Sequence, residues 1–247
     1  MNKFDKADVN VKSIPEDVRG NNSKNGITIS KSSNQIGISN AILSFIMYFS
    51  ISTLAGSAVG SESADNIIHW GYLAAYLIFA VLFFYILKIL SSFYFGIYEN
   101  ITLKNIVFAI VCAILVYLIN YSLNLLVWQK IFIASYDILI VDFKSLIPLP
   151  ILIYGCILGP IGEELVCRGY MLKGLRNKYS TTLALLLSSL VFAVIHLNIV
   201  QIMNALFMGI VFGLLYIKTG SIFSCILAHI LNNSIAMFVM NYYPHNF

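Results

Sequence analysis

Charge is scarce in this 247-residue chain: charged residues make up 11 %, hydrophobic ones 59 %, and the mean hydropathy is +0.84. That poverty excludes an ordinary soluble domain. The basic residues are dispersed rather than clustered, which excludes a nucleic-acid-binding face despite the net charge of +4. There are four cysteines, Cys112, Cys156, Cys167 and Cys225, each within or at the edge of an apolar stretch and without CxxC spacing. That excludes a disulfide framework or a cysteine zinc cluster, and small packing residues are the simpler reading. No period suggests internal repeats.

What is present is length of apolar chain. A hydrocarbon core of roughly 30 Å takes about 20 residues of helix, and seven stretches qualify: about 36–59, 67–90, 105–128, 147–167, 181–200, 202–217 and 221–241. The expected fold is therefore all-α, a polytopic membrane protein of about seven transmembrane helices around an intramembrane polar cavity. Residues 1–35 are polar and rich in Asn, Ser and Lys, and read as a flexible cytoplasmic arm. Residues 36–247 form the membrane domain. The sequence STLAGSA after the first stretch loosely imitates a signal-peptide end, but a polar leader this long points to a retained helix. Placing the N-terminus inside puts 13 Lys and Arg on the inner side and leaves only Lys130 and Lys144 outside. Basic residues in short loops stay cytoplasmic, so the distribution predicts N-in, C-out. Trp70 and Trp128 suit interfacial anchors, and His69 and His245 interfacial or solvated positions. Asn40 and Asn120 suit interhelical hydrogen bonds.

Against this background the segment PIGEELVCRGY, Pro160 to Tyr170, follows thirteen uncharged residues and holds Glu163, Glu164 and Arg168. The bland explanation is that they mark the end of a span, where charges meet water cheaply. Helix geometry offers another. Successive residues lie about 100° apart, so the two glutamates face different ways. Arg168 is four residues after Glu164, the favourable orientation for an acidic–basic pair. Glu164 is thus expected to be neutralised locally and Glu163 left facing elsewhere. Gly159 and Pro160 mark a place where a membrane helix can bend. The helix is expected to continue beyond them to about Lys178. Two later spans carry Phe192 with His196, and His229 with Asn233, each pair four apart and therefore on one helix face. A lone buried His is commonly a packing residue, and an Asn in a membrane helix commonly interhelical glue.

EExxxR, FxxxH and HxxxN, in that order on separate apolar helices, resemble the CPBP (Abi) family of intramembrane proteases, which includes the CAAX-prenyl endopeptidases. The resemblance spans roughly residues 147–235. It implies that Glu163 is the general base, with Glu164 and Arg168 supporting it. It further implies that His196 joins the base on the water, and that His229 and Asn233 stabilise the oxyanion. Phe192 would be a packing element. These residue types suit peptide hydrolysis, which needs an activated water and donors where carbonyl charge develops. Two histidines and a glutamate could also hold zinc, and the family has been labelled metalloprotease, but no HExxH occurs. A metal-independent mechanism without cofactor is therefore expected. On straight helices Glu163 would sit toward the inner end of its span and His196 toward the outer end, and the helical extension to Lys178 reduces that mismatch.

The expected function is an intramembrane endopeptidase acting on a membrane-associated protein or peptide within the lipid bilayer. The substrate would be CAAX-type, or a peptide signal or bacteriocin with a role in self-immunity. The Asn-, Lys-, Ile- and Phe-rich composition suits an AT-rich bacterial genome and hence a bacterial plasma membrane. Two other classes compete. A non-catalytic membrane binding or immunity protein could use the same fold, although the retained acids and histidines favour the enzyme. A proton-relay transporter is disfavoured by the lack of an inverted repeat in the hydropathy.

Overall fold

A computed structural model of the chain describes residues 40, 43, 44 and 46–48 and the ranges 66–91, 96–144 and 149–242. Helix is the only regular structure among the described residues. From Asn66 onward, seven helical rods follow one another among the described residues: α1 (Asn66–Ser91), α2 (Leu103–Ile131), α3 (Ile133–Lys144), α4 (Leu149–Arg176), α5 (Thr181–Val194), α6 (Ile199–Thr219) and α7 (Ile222–Tyr242). Five of them, α1, α2, α4, α6 and α7, are long and apolar enough to cross a membrane. Of the expected seven spans, the first lies largely outside the described residues, as do the proposed arm 1–35 and His245.

Local sequence explains several boundaries. Thr102 opens α2 by accepting from the amide of Asn105, and Ser180 opens α5 by accepting from that of Leu183. Asn198 opens α6 by accepting from the amides of Val200 and Gln201. Gly220 closes α6 in the left-handed conformation at φ 65°, its N–H reaching the carbonyl of Tyr216.

Two expected elements change. The segment after Trp128, anticipated as an outer loop, is the helix α3. Its Tyr136 is buried and forms an apolar cluster with Val200, flanked by Trp128, Phe132 and Met240. The span expected at 181–200 stops at Val194, because the chain turns through residues 195–198 with Leu197 at φ 56°. Fourteen residues rise about 21 Å, less than the hydrocarbon thickness. The end of α5 packs on α4 one to two turns beyond the two glutamates: the Phe192 ring sits 4.7 Å from Arg168 Cζ. His196 follows in the turn after α5, within electrostatic reach of Glu163, so the two are not held apart as straight helices would hold them.

The outer faces of α1 and α2 are apolar and exposed, as at Ile78, Val81, Tyr85 and Leu115, which suits contact with lipid. The interior inverts the usual pattern. Among its largest fully buried side chains are Arg168, His229 and Glu164, beside Phe192 and Phe212. Small residues let the helices around them approach: a Cβ on Gly209 of α6 would lie 3.1 Å from Ser189 Cα of α5. His69, expected at an interfacial or solvated position, is buried among its neighbours.

Candidate active site

The site begins with the way α4 is wound. Pro160 has no N–H and its ring crowds the carbonyl four residues back, so a regular helix would be strained there. The preceding turn, Tyr154–Leu158, is π-helical, and the amide of Gly159 reaches the carbonyl of Tyr154, five residues back. A second wide turn runs through Leu165–Leu172. The helix therefore passes through Pro160 unbroken as far as Arg176, close to the expected Lys178. Such wide turns shift the helical phase and recur at functional sites. Between them lie Glu163 and Glu164. Gly162 leaves room for the hydroxyl end of Tyr48, whose position any Cβ there would overlap. That hydroxyl shares a 2.7 Å hydrogen bond with Tyr76, and Tyr76 donates to the carbonyl of Leu158.

The two carboxylates diverge as helix geometry requires. Glu164 is wholly buried and its Oε1 accepts from Arg168 Nη1 at 2.8 Å and from His229 Nδ1 at 2.9 Å. The guanidinium also donates through Nη2 to the carbonyl of Gly209 at 3.1 Å and lies on the Phe192 ring. Arg168 thus joins α4, α5 and α6 around one charge pair. Glu163 keeps 23 % of its side-chain exposure, and its Oε2 stands 3.8 Å from Nε2 of the same His229. The separation exceeds a direct hydrogen bond, but both atoms can touch one small molecule between them. His229 is therefore flanked by both acids, one at each ring nitrogen, which sequence spacing did not reveal.

His196 sits in the turn after α5. Its Nδ1 is 3.1 Å from the carbonyl of Phe192, so Nδ1 carries the proton and the neutral ring presents Nε2 as an acceptor. Phe192 is the spacer that holds both imidazoles, with ring centroids 5.3 Å from His196 and 5.7 Å from His229. Both Glu163 and His229 act electrostatically on His196. Asn233, one turn after His229, donates one amide hydrogen to the carbonyl of Gly155 on α4 at 3.0 Å. All six candidate residues, Glu163, Glu164, Arg168, His196, His229 and Asn233, thus belong to one connected region formed by α4, the α5–α6 turn and α7.

Among the described residues no group of three or more His, Cys, Asp and Glu is already gathered at metal-ligand spacing. Nδ1 of each imidazole is held, by the Phe192 carbonyl and by Glu164, which leaves Nε2 of each ring and the Glu163 carboxylate as the groups that could act on water or hold a cation.

His196 also lines a cavity of about 250 Å³ bounded by α2, α4, α6 and α7. Its walls hold residues that motif reading missed. Trp128, expected as an interfacial anchor, donates its indole N–H inward to Asn204 Oδ1 at 3.1 Å, and Asn204 Nδ2 donates to Asn124 Oδ1 at 2.9 Å. Asn120 does not make the expected interhelical bond, and its buried Oδ1 has no partner among the described residues. Asparagines recurring four apart on α2 were the available sequence clue.

Comparison with known proteins agrees with the motifs. Residues 145–235 match the family described as Type II CAAX prenyl endopeptidase Rce1-like. The protein named "Putative membrane peptidase YdiL" of Bacillus subtilis (strain 168) is 33 % identical over 95 residues. That match covers 38 % of this chain and 38 % of the relative. No solved structure matches. Over the helices that carry EExxxR, FxxxH and HxxxN, the chain is thus similar to membrane endopeptidases of the Rce1-like type, and the match spans little more than a third of its length.

Proposed function

We propose that the protein is an intramembrane endopeptidase that hydrolyses a peptide bond of a membrane-associated protein or peptide. The observation that supports this most is the unequal fate of two adjacent acids. Glu164 is consumed by Arg168 and His229, whereas Glu163 remains partly exposed and has no direct hydrogen bond to either of them. A carboxylate kept accessible in a mostly dry setting is suited to take a proton from water. The names of the matching family and relative, an endopeptidase and a membrane peptidase, point the same way.

In this mechanism Glu163 is the base, and the lone pair on His196 Nε2 orients the attacking water. His229, held by Glu164 through Nδ1, turns Nε2 toward the carbonyl oxygen of the scissile bond. When both ring nitrogens are protonated, the cluster of Glu163, Glu164, Arg168 and His229 carries no net charge. Nε2–H and the second amide hydrogen of Asn233 then stabilise the oxyanion, and such donors act most strongly where water is scarce. Glu163 returns its proton to the departing amine. Arg168 does not touch the reacting atoms; it fixes Glu164 and thereby His229. We place the protein in a bacterial plasma membrane with its N-terminus cytoplasmic, as the distribution of Lys and Arg favours. A peptide signal or bacteriocin suits that setting better than a prenylated protein.

The test incubates purified full-length protein with membrane-peptide pools and reads new termini by mass spectrometry. Products that appear with the native chain and vanish with Glu163→Gln support the reading. Identical products from both proteins, or none from either, defeat it.

A further inference from the structure

The cavity beside His196 carries two hydrogen-bond chains whose directions are fixed by groups that can act in only one sense. An indole N–H only donates. Trp128 therefore sets Oδ1 of Asn204 as acceptor and Nδ2 as donor, which in turn sets Oδ1 of Asn124 as acceptor. What remains at the end of that chain is Asn124 Nδ2, a donor. On the facing helix, a backbone carbonyl only accepts. The Gly155 carbonyl sets Asn233 Nδ2 as donor and Oδ1 as acceptor, so Asn232 donates to it at 3.2 Å. The other amide hydrogen of Asn232 points to Met208 Sδ at 3.5 Å. Both donors of Asn232 are therefore used, and its Oδ1 is left as a buried acceptor without a partner, in a residue only 8 % exposed.

An amide-lined cavity thus ends in one donor on α2 and one orphaned acceptor on α7, with Asn120 Oδ1 a second orphan one turn from Asn124. Among the described residues that line it, no Asp, Glu, Lys or Arg occurs, and Met208, Met237 and Met240 supply adaptable apolar surface. A buried acceptor left unpaired is costly. A peptide group offers one N–H and one C=O, the complement of these two ends.

We propose that this cavity is the specificity subsite for an uncharged, extended stretch of substrate main chain. Asn124 donates to a backbone carbonyl, and Asn232 accepts from a backbone N–H. Charged side chains are excluded by the cost of desolvating them without a partner. The assignment rests on the endopeptidase reading and adds a substrate class to it. Asn120 and Asn124 lie on α2, outside the segment shared with the family, so this half of the subsite belongs to the part of the chain that sets its own selectivity.

The chain has two tryptophans, so Trp70→Phe leaves Trp128 as a fluorescent reporter bonded to the subsite. The full-length Trp70→Phe protein in detergent is titrated with an N-acetylated, C-amidated Ala-Ala-Leu-Ala peptide. The same peptide N-methylated at its internal amides, and versions bearing Asp or Lys in place of the second Ala, are titrated in parallel. Saturable change in Trp128 emission is expected with the parent peptide, and binding about tenfold weaker with the methylated and charged ones. Asn124→Leu and Asn232→Thr should each weaken the parent peptide while reducing the penalty for N-methylation. Equal binding of parent and N-methylated peptides, or no saturable change with the parent, overturns the assignment without depending on the folding of the Asn124 or Asn232 variants. Saturable, methylation-sensitive binding without hydrolysis would keep the subsite and remove the protease. Hydrolysis of charged and neutral peptides alike would keep the protease and remove the subsite.

Discussion

The carboxylate of Glu164 and the imidazole of His229, 65 positions apart in the chain, meet at 2.9 Å in the interior of the helical bundle. The contact ties α4 to α7 and turns Nε2 of His229 toward Glu163. It also assigns different work to two acids that are adjacent in sequence. Replacing each with glutamine should separate their roles. Glu163→Gln should lower hydrolysis by roughly 10²–10⁴-fold, the scale of a lost general base, with the thermal unfolding midpoint in detergent unchanged. Glu164→Gln should lower the midpoint as well, because it leaves Arg168 buried without a counter-charge. Equal midpoints for both variants would contradict this division.

The pairing of Glu164 with Arg168 can be tested by its own non-additivity. Arg168→Ala should destabilise by about 3–5 kcal/mol, the usual cost of stranding a buried charge. The double variant Glu164→Leu/Arg168→Met should recover much of that loss, because no charge is left behind. Denaturant midpoints for Glu164→Leu, Arg168→Met and the double variant measure the difference. Additive losses would mean that the 2.8 Å contact contributes little.

The legible part of this site was the part written in helix spacing. Glu164 and Arg168 meet because four residues make about one turn, and Glu163 diverges for the same reason. The stop at Val194 was not legible, because the apolar stretch runs on past it while the chain turns. Asn198 is the residue that could have marked the break, since a side-chain acceptor before an apolar helical run is a start signal. The helix α3 was missed because Lys130 and Lys144, the two basic residues left outside, made the stretch between them read as an outer segment. The joint hold on His229 by two acids, and the amide chain from Trp128 to Asn124, depend on tertiary packing of separate helices. No local pattern encodes such contacts.

Asn198 holds the corner that positions His196. Its Oδ1 accepts from the amides of Val200 and Gln201, and its Nδ2 donates to the Ser135 carbonyl of α3 at 2.9 Å. Asn198→Ala removes the helix cap and this tie, and should lower stability by about 1–2 kcal/mol. The larger consequence should fall on turnover. A loosened corner displaces His196, and misplacing a catalytic group costs roughly 10²-fold. The expected result is a fall in kcat with KM little changed. Asn198→Asp, which retains the capping acceptor, should recover more of the activity than Asn198→Ala.

Chelation decides between the water-activating carboxylate and a bound cation. Nδ1 of His196 is committed to the Phe192 carbonyl and Nδ1 of His229 to Glu164, which leaves Nε2 of each ring and Glu163 to act on substrate or water. If Glu163 itself takes the proton, preincubation with EDTA or phenanthroline should leave the rate of peptide cleavage unchanged, and added zinc should not raise it. A zinc centre would instead recruit the two Nε2 atoms and the Glu163 carboxylate, so activity would fall with chelator and return with zinc. Following cleavage by mass spectrometry in parallel with metal content of the purified protein distinguishes the two. A chelator-sensitive enzyme containing one zinc per chain would overturn the carboxylate mechanism while leaving the protease itself intact.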